Sequence, residues 1–431
     1  MSRTFLHVIK RTFVPFLLVI LLIGAFHPSL NLSWNSTASA QEEFQPILPG
    51  SRLADLKPLS SSGSALSTTP VSSSSGVKKK VVYLTFDDGP TKLTDQVLAI
   101  LSKNKAKATF FVLGEQAERY PEVIRRISEG GHALGNHTYD HVYKKLYHNF
   151  SEFWRQIKQT EEILRNITGS RTPLVRAPGG TYGHFDSSYF SLLKRGGYAV
   201  FDWDVDTRDS SRKGVPSSEM IRNVKLAELK DQIVVLMHDG AGHEQTIKAL
   251  PRIIEYYKSH GYEFQSLSSK VKPVQFSIKA NGVWGSRIKP TKKWVEDHVV
   301  PNAALFQEGR QLVLSTGGVE TEMGYGEYEL SEGRYKVPLR AAMERLGASV
   351  QWSSVNRAAV ITWGKKTLTI KVDSNTAEQM TIGKQGSAGV PFALETRGDT
   401  VWVPLRSLLG LLGHPIVSVT KDRDYYRVKA L

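Results

Sequence analysis

The sequence predicts an α/β protein, with a distorted (β/α) barrel of about seven parallel strands followed by a smaller α+β domain. Apolar runs alternate with helical patterns from Val81 to about residue 270, and this alternation is typical of βα units on a parallel sheet. Beyond residue 270 the rhythm stops, and a short internal repeat appears instead. The length of 431 residues also favours two or three domains. An open, doubly wound sheet is the alternative arrangement.

The predicted strands are short apolar runs that end at polar residues. They are VVYLTF at 81–86, ATFFVLG at 108–114, HALGNH at 132–137, LVRAP at 174–178, YAVFDWDV at 198–205, QIVVLMH at 232–238 and YEFQSL at 262–267. Helical patterns lie between them at 94–104, 120–130, about 151–168 and about 244–259. Thr94 is the predicted N-cap of the first of these helices.

The N-terminal region has the layout of a secretory signal peptide, predicted over residues 1–40. Three basic residues precede an uncharged apolar run at 13–26, and Ala38–Ala40 offers small side chains for cleavage. The apolar run is shorter than the roughly 20 residues of a membrane-spanning helix, but without cleavage it would act as a membrane anchor. Residues 41–77 are rich in Ser, Thr, Pro and Gly, which predicts a flexible linker.

Composition limits the chemistry and the partners of the chain. It contains no Cys, so disulfides and thiolate metal sites are excluded, and any metal must be bound by His, Asp or Glu. The formal net charge of +15 suits an anionic surface. Together with the export signal, this charge favours association with an anionic cell wall and excludes nucleic acid as the expected partner. We therefore expect a secreted or wall-associated protein.

The segment TFDDGP at 85–90 ends the first predicted strand on two neighbouring carboxylates. Because side chains alternate between the two faces of a strand, Asp87 and Asp88 cannot point the same way while the strand lasts. Gly89 and Pro90 then end the strand at once. Each carboxylate can therefore take a different task. The alternative is a simple Asx-type turn without chemistry.

Titratable residues also follow the ends of later predicted strands. In a βα barrel, the C-terminal ends of the strands meet at one rim, where the chemistry takes place. The residues at this rim are His137, His141, Arg176, Asp206, Asp209 and His238. The two closely spaced histidines and one carboxylate would give a divalent metal three ligands and leave room for water, which is the catalytic type of site. If Asp88 is that carboxylate, Asp87 is free to act as a general base.

Five short motifs occur in a fixed order, namely TFDDGP, HTYDH, RAPGG, DTRDS and LMH. In this order and spacing they resemble the polysaccharide deacetylases of carbohydrate esterase family 4, the NodB-homology domain, over residues 78–270. The resemblance implies that Asp87 is the catalytic base and that Arg176 holds and orients it. It also implies that Asp88, His137 and His141 bind one divalent metal, usually zinc, with cobalt or another divalent ion as the alternative.

The same resemblance implies the remaining catalytic roles. His238 would be the general acid, and Asp209 would pair with it and set its charge. The backbone N–H of Gly179 falls where the family places its oxyanion donor, and Leu236 falls where the family packs the acetyl methyl group. One position departs from the family, because Ser210 stands where a Trp usually follows the aspartate.

The missing Trp leaves one wall of the predicted substrate groove without its aromatic side chain. Tyr182 and Trp203 are the candidates to replace it, and for each of them a role in packing is the alternative. The departure bears on substrate preference more than on catalysis.

The C-terminal part contains an internal repeat. KVPLRAAMERLG at 336–347 returns as WVPLRSLLGLLG at 402–413, with strand-like segments around both copies. Residues 310–431 resemble the stalk domain named after the N-terminal domain of copper amine oxidases, and residues 271–309 are the predicted connector. We see no His cluster here that would indicate copper. The expected role is a spacer or a module that binds wall or sugar.

The predicted function is that of an exported, metal-dependent deacetylase acting on an N-acetylated cell-surface polysaccharide, with peptidoglycan GlcNAc or MurNAc as the substrate. Chitin or chito-oligosaccharides are the alternative substrates. A glycan-binding protein that has lost catalysis is an alternative of another class, although the complete set of catalytic residue types argues against it. A metal-dependent hydrolase of a non-sugar amide is a further alternative.

Overall fold

The computed structural model describes residues 79–278, 287–381 and 388–431. The N-terminal part of these residues forms a sheet of eight parallel strands. The strands are β1 (Lys80–Asp87), β2 (Ala108–Val112), β3 (Ala133–Asn136), β4 (Leu174–Val175), β5 (Ala199–Val200), β6 (Val205–Asp206), β7 (Gln232–His238) and β8 (Tyr262–Phe264). Their spatial order is β5-β4-β3-β2-β1-β7-β6, and β8 lies beside the first residues of β1. The predicted signal peptide and linker lie outside the described residues.

A single stretch of chain closes this sheet into a barrel. β5 pairs with β4 at one end of the strand order, and β6 pairs with β7 at the other end. Only residues 201–204 separate β5 from β6 along the chain. The barrel prediction is therefore confirmed, and the strand predicted at 198–205 is divided into two short pairings. The strands of a closed sheet are staggered along the barrel axis. The stretch 199–206 can therefore pair with β4 through its first residues and with β7 through its last residues.

Helices follow the strands. Those of the barrel are α1 (Lys92–Lys103), α2 (Gly114–Arg119), α3 (Pro121–Glu129), α4 (Tyr143–His148), α5 (Phe150–Thr168), α6 (Ser187–Arg195), α7 (Ser217–Leu226) and α8 (Glu244–Ser259). The sequence patterns predicted α1, α3, α5 and α8, and missed the other four. In the described part of the chain, no helix combines the length and the apolar character that crossing a bilayer requires.

The first helix begins earlier than the sequence predicted. Its N-cap is Thr91, whose hydroxyl accepts a hydrogen bond from the N–H of Leu93 at 3.1 Å. The hydroxyl of Thr94 in turn accepts the N–H of Thr91 at 2.9 Å, which completes a capping box. The prediction of Thr94 as the N-cap was therefore wrong, because Thr94 is the third helical residue of this reciprocal pair.

β1 separates two apolar cores. Val82 and Phe86 pack with residues of the surrounding helices, whereas Tyr83 packs with interior side chains of other strands. Since side chains alternate along a strand, Thr85 and Asp87 point to the same side as Tyr83. The last residue of β1 therefore carries its carboxylate into the barrel interior, at the C-terminal rim.

The region predicted as a connector packs against the barrel in its described part. It contains α9 (Lys292–His298) and a 3₁₀ helix (Val300–Phe306). Val295 and Val299 belong to the apolar cluster that α5 and α6 also line, and the amide of Asn302 donates to the carbonyl oxygen of Gly196 at 2.7 Å. This segment therefore shares a core with the barrel.

The C-terminal region is a smaller, β-rich domain, as predicted. Its strands are β9 (Gln311–Thr316), β10 (Val319–Met323), β11 (Glu329–Ser331), β12 (Arg334–Pro338), β13 (Ser349–Ser353), β14 (Ala358–Trp363), β15 (Lys366–Lys371), β16 (Thr376–Thr381), β17 (Val390–Pro391), β18 (Glu395–Arg397), β19 (Thr400–Pro404), β20 (Ile416–Lys421) and β21 (Tyr425–Ala430). Its helices are α10 (Leu339–Arg345) and α11 (Leu405–Leu411). The strands form three sheets around one apolar core.

The two copies of the internal repeat meet at their equivalent strands. β12 and β19 pair antiparallel, with Val337 directly opposite Val403. Each strand ends at a proline that serves as the N-cap of the next helix, Pro338 before α10 and Pro404 before α11. The repeated Val-Pro-Leu-Arg sequence thus encodes a strand, a turn and a helix start in both copies.

A buried ion cluster joins the C-terminal domain to the barrel. Glu327 is 7% exposed, and its carboxylate lies 2.6 Å from Arg171 and 2.8 Å from Arg345. Arg165 of α5 lies 3.4 Å away. Burial alone would raise the pKa of Glu327, but the hydrogen bonds and charges of the three arginines outweigh it and hold the pKa well below its usual range. One carboxylate therefore balances arginines from both parts of the fold.

We expect Glu327→Ala to lower the free energy of unfolding by about 3–5 kcal/mol, because it leaves the buried guanidinium groups of Arg165 and Arg345 without a carboxylate partner among the described residues. The control Glu344→Ala removes an exposed pair with Arg340 and should cost less than about 1 kcal/mol. Because the pKa of Glu327 is depressed in the folded state, its contribution is present above the ordinary value of 4.5 and is lost as the pH falls below it. Denaturant titrations at several pH values measure both effects; equal losses for the two variants would contradict this account.

Candidate active site

Two neighbouring aspartates at the end of β1 point in different directions. Asp87 is 3% exposed and faces the barrel interior, as the alternation of the strand requires. Asp88 follows outside the strand with a φ of +69°, a left-handed backbone that non-glycine residues rarely adopt and that clusters at functional sites. This backbone turns the second carboxylate towards the two predicted histidine ligands.

Asp88, His137 and His141 offer three ligand atoms that all lie within 4.8 Å of one another. The Nε2 atoms of both histidines are 3.5 Å from Oδ1 of Asp88. Nδ1 of His137 pairs with the carbonyl oxygen of Arg176 at 2.9 Å, which leaves Nε2 directed at the cluster. Burial lowers the pKa of His137 to about 3, so the imidazole is neutral, as a metal ligand must be.

The hydrogen bonding of Asp88 favours a cation at this cluster. Its Oδ1 atom is buried and has no hydrogen-bond partner among the described residues. A buried carboxylate oxygen without a donor is costly unless a positive ion satisfies it. Asp88, His137 and His141, here called the metal cluster, therefore fit one divalent ion, with the open coordination of a catalytic site.

A second group of the same residue types, Asp209, His238 and His243, is also close enough to hold an ion. Here both carboxylate oxygens are already used. Oδ1 of Asp209 pairs with Nδ1 of His238 at 2.8 Å, and Oδ2 accepts the N–H of His238 and the hydroxyl of Thr246. Because this carboxylate is satisfied within the protein, the Asp88 cluster is the better metal site.

Arg176 holds the carboxylate of Asp87 from inside the barrel. The guanidinium is fully buried and donates to Oδ1 of Asp87 at 2.9 Å and to the hydroxyl of Thr85 at 2.6 Å. Oδ2 of Asp87 lies 3.7 Å from Nε2 of His137 and so faces the metal cluster. Burial raises the pKa of Asp87, and the charge of Arg176 opposes this effect. One oxygen of Asp87 is thereby fixed and the other is available.

His238 lies directly beside Asp87, because the two residues are register partners in β1 and β7. Burial alone would lower the pKa of His238, but the hydrogen bond and charge of Asp209 outweigh it and raise the pKa to about 9. The imidazole is therefore protonated at neutral pH. A protonated histidine and a carboxylate on adjacent strand ends form an acid–base pair.

The remaining predicted residues lie at the same rim. Leu236 is 4% exposed and sits two residues before His238 on β7, so both side chains share one face of the strand. Gly179 follows β4 with a φ of +72°, and a Cβ there would collide with the hydroxyl of Tyr143. In the described part of the chain, the N–H of Gly179 makes no hydrogen bond. All nine predicted site residues thus lie at or next to the strand ends that form this rim.

The two aromatic candidates for the groove wall differ in their surroundings. The ring of Trp203 packs against the ring of Phe276 and lies 2.8 Å from where a Cβ of Gly180 would be. Tyr182 is 54% exposed, in the loop after β4. The packing interpretation fits the half-buried Trp203, whereas Tyr182 is the more exposed of the two aromatic side chains.

Three residues at the site were assigned no role by the sequence analysis. Thr85 supports Arg176, and the ring of His243 stacks on that of His238 with centroids 5.2 Å apart. Asp239 is fully buried below the turn after β1, accepts a hydrogen bond from Thr94, and has a pKa raised by burial to about 7. An acidic residue directly after the predicted catalytic histidine was a visible signal for Asp239, but the supporting contacts of Thr85 are not local in sequence.

A cleft of about 490 Å³ opens beside the metal cluster. Polar and charged side chains line much of it, including Lys92, Gln116, Arg119, His141, His243 and Glu244. A cleft with many hydrogen-bonding groups next to the candidate metal site suits a polar substrate.

Asp209→Asn should move the alkaline limb of the pH–rate profile to lower pH. His238 is the predicted general acid, so this limb should report the loss of its proton. The variant removes the negative charge of Asp209, which raises the pKa of His238 against the lowering effect of burial. The wild-type limb is expected near pH 9. A profile of kcat/KM against pH measures the shift, and Asp95→Asn, an exposed carboxylate on α1, serves as the control. An unmoved limb with near-normal activity would show that Asp209 does not tune this histidine.

Comparisons with known proteins match two regions of the chain to protein families. A family model described as polysaccharide deacetylase matches residues 74–201, and a model described as copper amine oxidase N-terminal domain matches residues 318–426. The second match confirms the resemblance predicted for the C-terminal region.

The chain is similar to several deacetylases. It is 34% identical to a peptidoglycan-N-acetylglucosamine deacetylase of Bacillus cereus over 216 residues, which are 49% of this chain and 78% of that protein. It is also 34% identical to a chitooligosaccharide deacetylase of Rhizobium leguminosarum, over 44% of this chain and 92% of that protein. Among solved structures, the polysaccharide deacetylase Bc1974 of Bacillus cereus is 34% identical, covers 46% of this chain and 97% of its own, and gives a TM-score of 0.44.

The 34% identity to the two named deacetylases, over 78% and 92% of their lengths, exceeds what a shared fold alone would give. The chain therefore belongs to the polysaccharide deacetylase family, a family of hydrolases that cleave the amide bond of N-acetyl groups.

Proposed function

We propose that this chain is an exported, metal-dependent deacetylase that removes N-acetyl groups from the GlcNAc or MurNAc residues of peptidoglycan. The observation that carries the proposal is the pairing of Asp87 with His238 on adjacent strand ends, beside the cluster of Asp88, His137 and His141. A base, an acid and a cation site within one rim are what amide hydrolysis requires.

The proposed cofactor is one Zn²⁺ ion, held by Asp88, His137 and His141. Two imidazoles and one carboxylate are typical ligands of catalytic zinc, although cobalt or another divalent ion can use the same set. When bound, such an ion supplies Lewis-acid chemistry, since it makes water more acidic and polarises a carbonyl group. The remaining steps are assigned to the side chains of the chain itself.

Asp87 is the proposed general base. Its Oδ2 faces the metal cluster and would accept a proton from the attacking water, while Arg176 keeps Oδ1 fixed. The water oxygen forms a bond to the acetyl carbon, and the carbonyl oxygen takes up negative charge. The N–H of Gly179 would donate a hydrogen bond to that oxygen.

His238 is the proposed general acid. The sugar amine is a poor leaving group unless it is protonated, and the imidazolium of His238 would deliver that proton as the carbon–nitrogen bond breaks. Asp209 keeps the imidazole charged beforehand. The products are acetate and a free amino sugar, and Leu236 offers an apolar contact for the acetyl methyl group.

The proposed substrate rests on relatives and on charge. Several relatives of Bacillus cereus are named peptidoglycan-N-acetylglucosamine deacetylases, at 32–36% identity. The net charge of +15 and the predicted signal peptide suit an exported protein that works on an anionic wall. Chito-oligosaccharides are the second candidate, because two relatives are named for that substrate.

The substrate is tested by measuring acetate release from peptidoglycan strands, chito-oligosaccharides and small N-acetyl amides. We expect release from peptidoglycan at a kcat/KM above that for chito-oligosaccharides. Preference for the chito-oligosaccharides would select the second substrate, and activity on simple amides alone would indicate a different hydrolase. No release from any of them, with metal bound, would point to a glycan-binding protein without catalysis.

His137→Ala and His141→Ala should each remove the metal and the activity together, because each variant leaves only two ligands. The fold should persist, since both residues lie in the loop region after β3 rather than in a core strand. Elemental analysis and acetate release measure the two effects, with the exposed His260→Ala as the control. Full turnover of either variant after chelation would exclude this site.

Asp87→Asn should keep the metal and lose activity by about 10²–10⁴-fold, the usual contribution of a general base. Its matched partner, Asp88→Asn, should lose metal affinity first. Metal content and kcat measured on both variants separate the two roles. The opposite pattern, with metal lost only in Asp87→Asn, would mean that the two aspartates are exchanged.

A further inference from the structure

We propose that the chain after the barrel, through Phe276 and Arg287, holds the active-site loop 179–186 in its working position, and that Arg287 is a positioning residue for deacetylation. The inference rests on the proposed function, because the loop carries the proposed oxyanion donor. Neither family model covers these two positions, since the matches span residues 74–201 and 318–426.

The N–H groups of His184 and Phe185 donate to the carbonyl oxygen of Thr181 and so form a turn within the loop, but these bonds do not attach the loop to the rest of the barrel. Gly179, Gly180 and Gly183 all adopt positive φ values, of +72°, +79° and +73°. Glycine at such positions avoids steric cost but has the greatest conformational freedom to lose on ordering. The position of the loop therefore depends on contacts that other segments supply.

Phe276 fixes the loop from the inner side, through a shared partner. The fully buried carboxylate of Asp202 accepts the N–H of Thr181 at 2.9 Å and the N–H of Phe276 at 2.8 Å. The ring of Phe276 also packs edge-on against Trp203, with centroids 4.9 Å apart. A Cβ at Gly180 would lie 2.8 Å from Trp203 and 3.1 Å from Phe276, so both rings pack close to the loop backbone.

Arg287 fixes the loop from the outer side. Its guanidinium is 9% exposed, donates to the carbonyl oxygen of His184 at 2.7 Å, and lies 3.2 Å from the carboxylate of Asp186. The ring of His184 pairs through Nδ1 with the carbonyl oxygen of Gly180 at 2.9 Å. A chain of contacts thus runs from Arg287 to the residue that follows Gly179. The planar fork of arginine can hold the carbonyl and the carboxylate together, which the single ammonium of lysine cannot do as well.

Loss of these contacts should displace the proposed oxyanion donor and leave the other catalytic groups in place. A shift of about 1 Å in a group that binds the transition state can cost up to 10²-fold in rate. Asp87 should be unaffected, because Arg176 holds it through separate hydrogen bonds to β1 and to the backbone of residues 201 and 202. Loss of Arg287 should therefore impair oxyanion binding while it leaves the base and the metal site intact.

The test compares Arg287→Ala and Arg287→Lys with the control Arg252→Ala, an arginine of α8 that is 67% exposed and pairs only with Glu255 among the described residues. Acetate release from an N-acetylated chito-oligosaccharide gives kcat and KM, normalised to folded, zinc-loaded protein. We expect kcat/KM to fall about tenfold in Arg287→Ala, to recover in part in Arg287→Lys, and to stay unchanged in the control. Zinc content and the alkaline limb should not move.

Hydrogen exchange of the 179–186 peptide supplies a readout that does not depend on turnover. Exchange should rise in Arg287→Ala and not in Arg252→Ala. If the unaltered protein releases no acetate, the proposed function fails, and the exchange result alone then decides whether Arg287 holds the loop. If Arg287→Ala does not fold, the same comparison is made with Arg287→Lys. Lower thermal stability with normal kcat/KM and normal loop exchange would assign Arg287 a purely structural role and overturn the inference.

Discussion

The site depends on one buried guanidinium, that of Arg176. It is fully buried, and its donors reach Thr85 and Asp87 on β1 and the carbonyl oxygens of Phe201 and Asp202. A buried charge persists only if it is paired and most of its donors are satisfied, and here one carboxylate and three neutral oxygens accept four hydrogen bonds from the guanidinium. The carbonyl oxygen of the same residue pairs with His137. The proposed base and one proposed metal ligand are therefore oriented by a single side chain and its own backbone.

The parallel sheet also brings a carboxylate and a protonated imidazole together. Asp87 and His238 are neighbours across two strands, although about 150 residues separate them along the chain. The two buried histidines of the site have opposite states. Burial keeps His137 neutral, with a pKa of about 3, whereas Asp209 keeps His238 charged, with a pKa of about 9. Such a separation of pKa values by local environment is how one site provides both a ligand and an acid.

Local patterns predicted the parts of the structure that depend on neighbouring residues. The apolar runs located the strands, and the motifs at their ends located the nine predicted site residues, because parallel strands necessarily converge at one edge. The sequence also predicted a strand at 198–205, but pairing with two different neighbours divides it into β5 and β6.

What the sequence could not predict are contacts between distant segments. The pairing of Arg287 with the loop at 184–186 spans about 100 residues, and that of Glu327 with Arg171 spans 156. Asp202 shows the same limit, since nothing in its local sequence indicates that it joins Thr181 to Phe276. The residues next to them in the sequence form no motif that predicts these contacts, which arise only when the chain is folded. The same contacts show that the region after residue 270 is packed against the barrel rather than simply linking two domains.

We propose that the two neighbouring aspartates have different roles, with Asp88 binding the ion and Asp87 held by Arg176 as the base. A crystal structure of the zinc-loaded protein, with anomalous differences recorded at the zinc edge, tests it most directly. We expect one peak at about 2.0–2.2 Å from Asp88, His137 and His141, with Asp87 still paired to Arg176 and outside the coordination sphere. A peak at Asp209, His238 and His243 instead, or an ion coordinated by Asp87, would contradict this account.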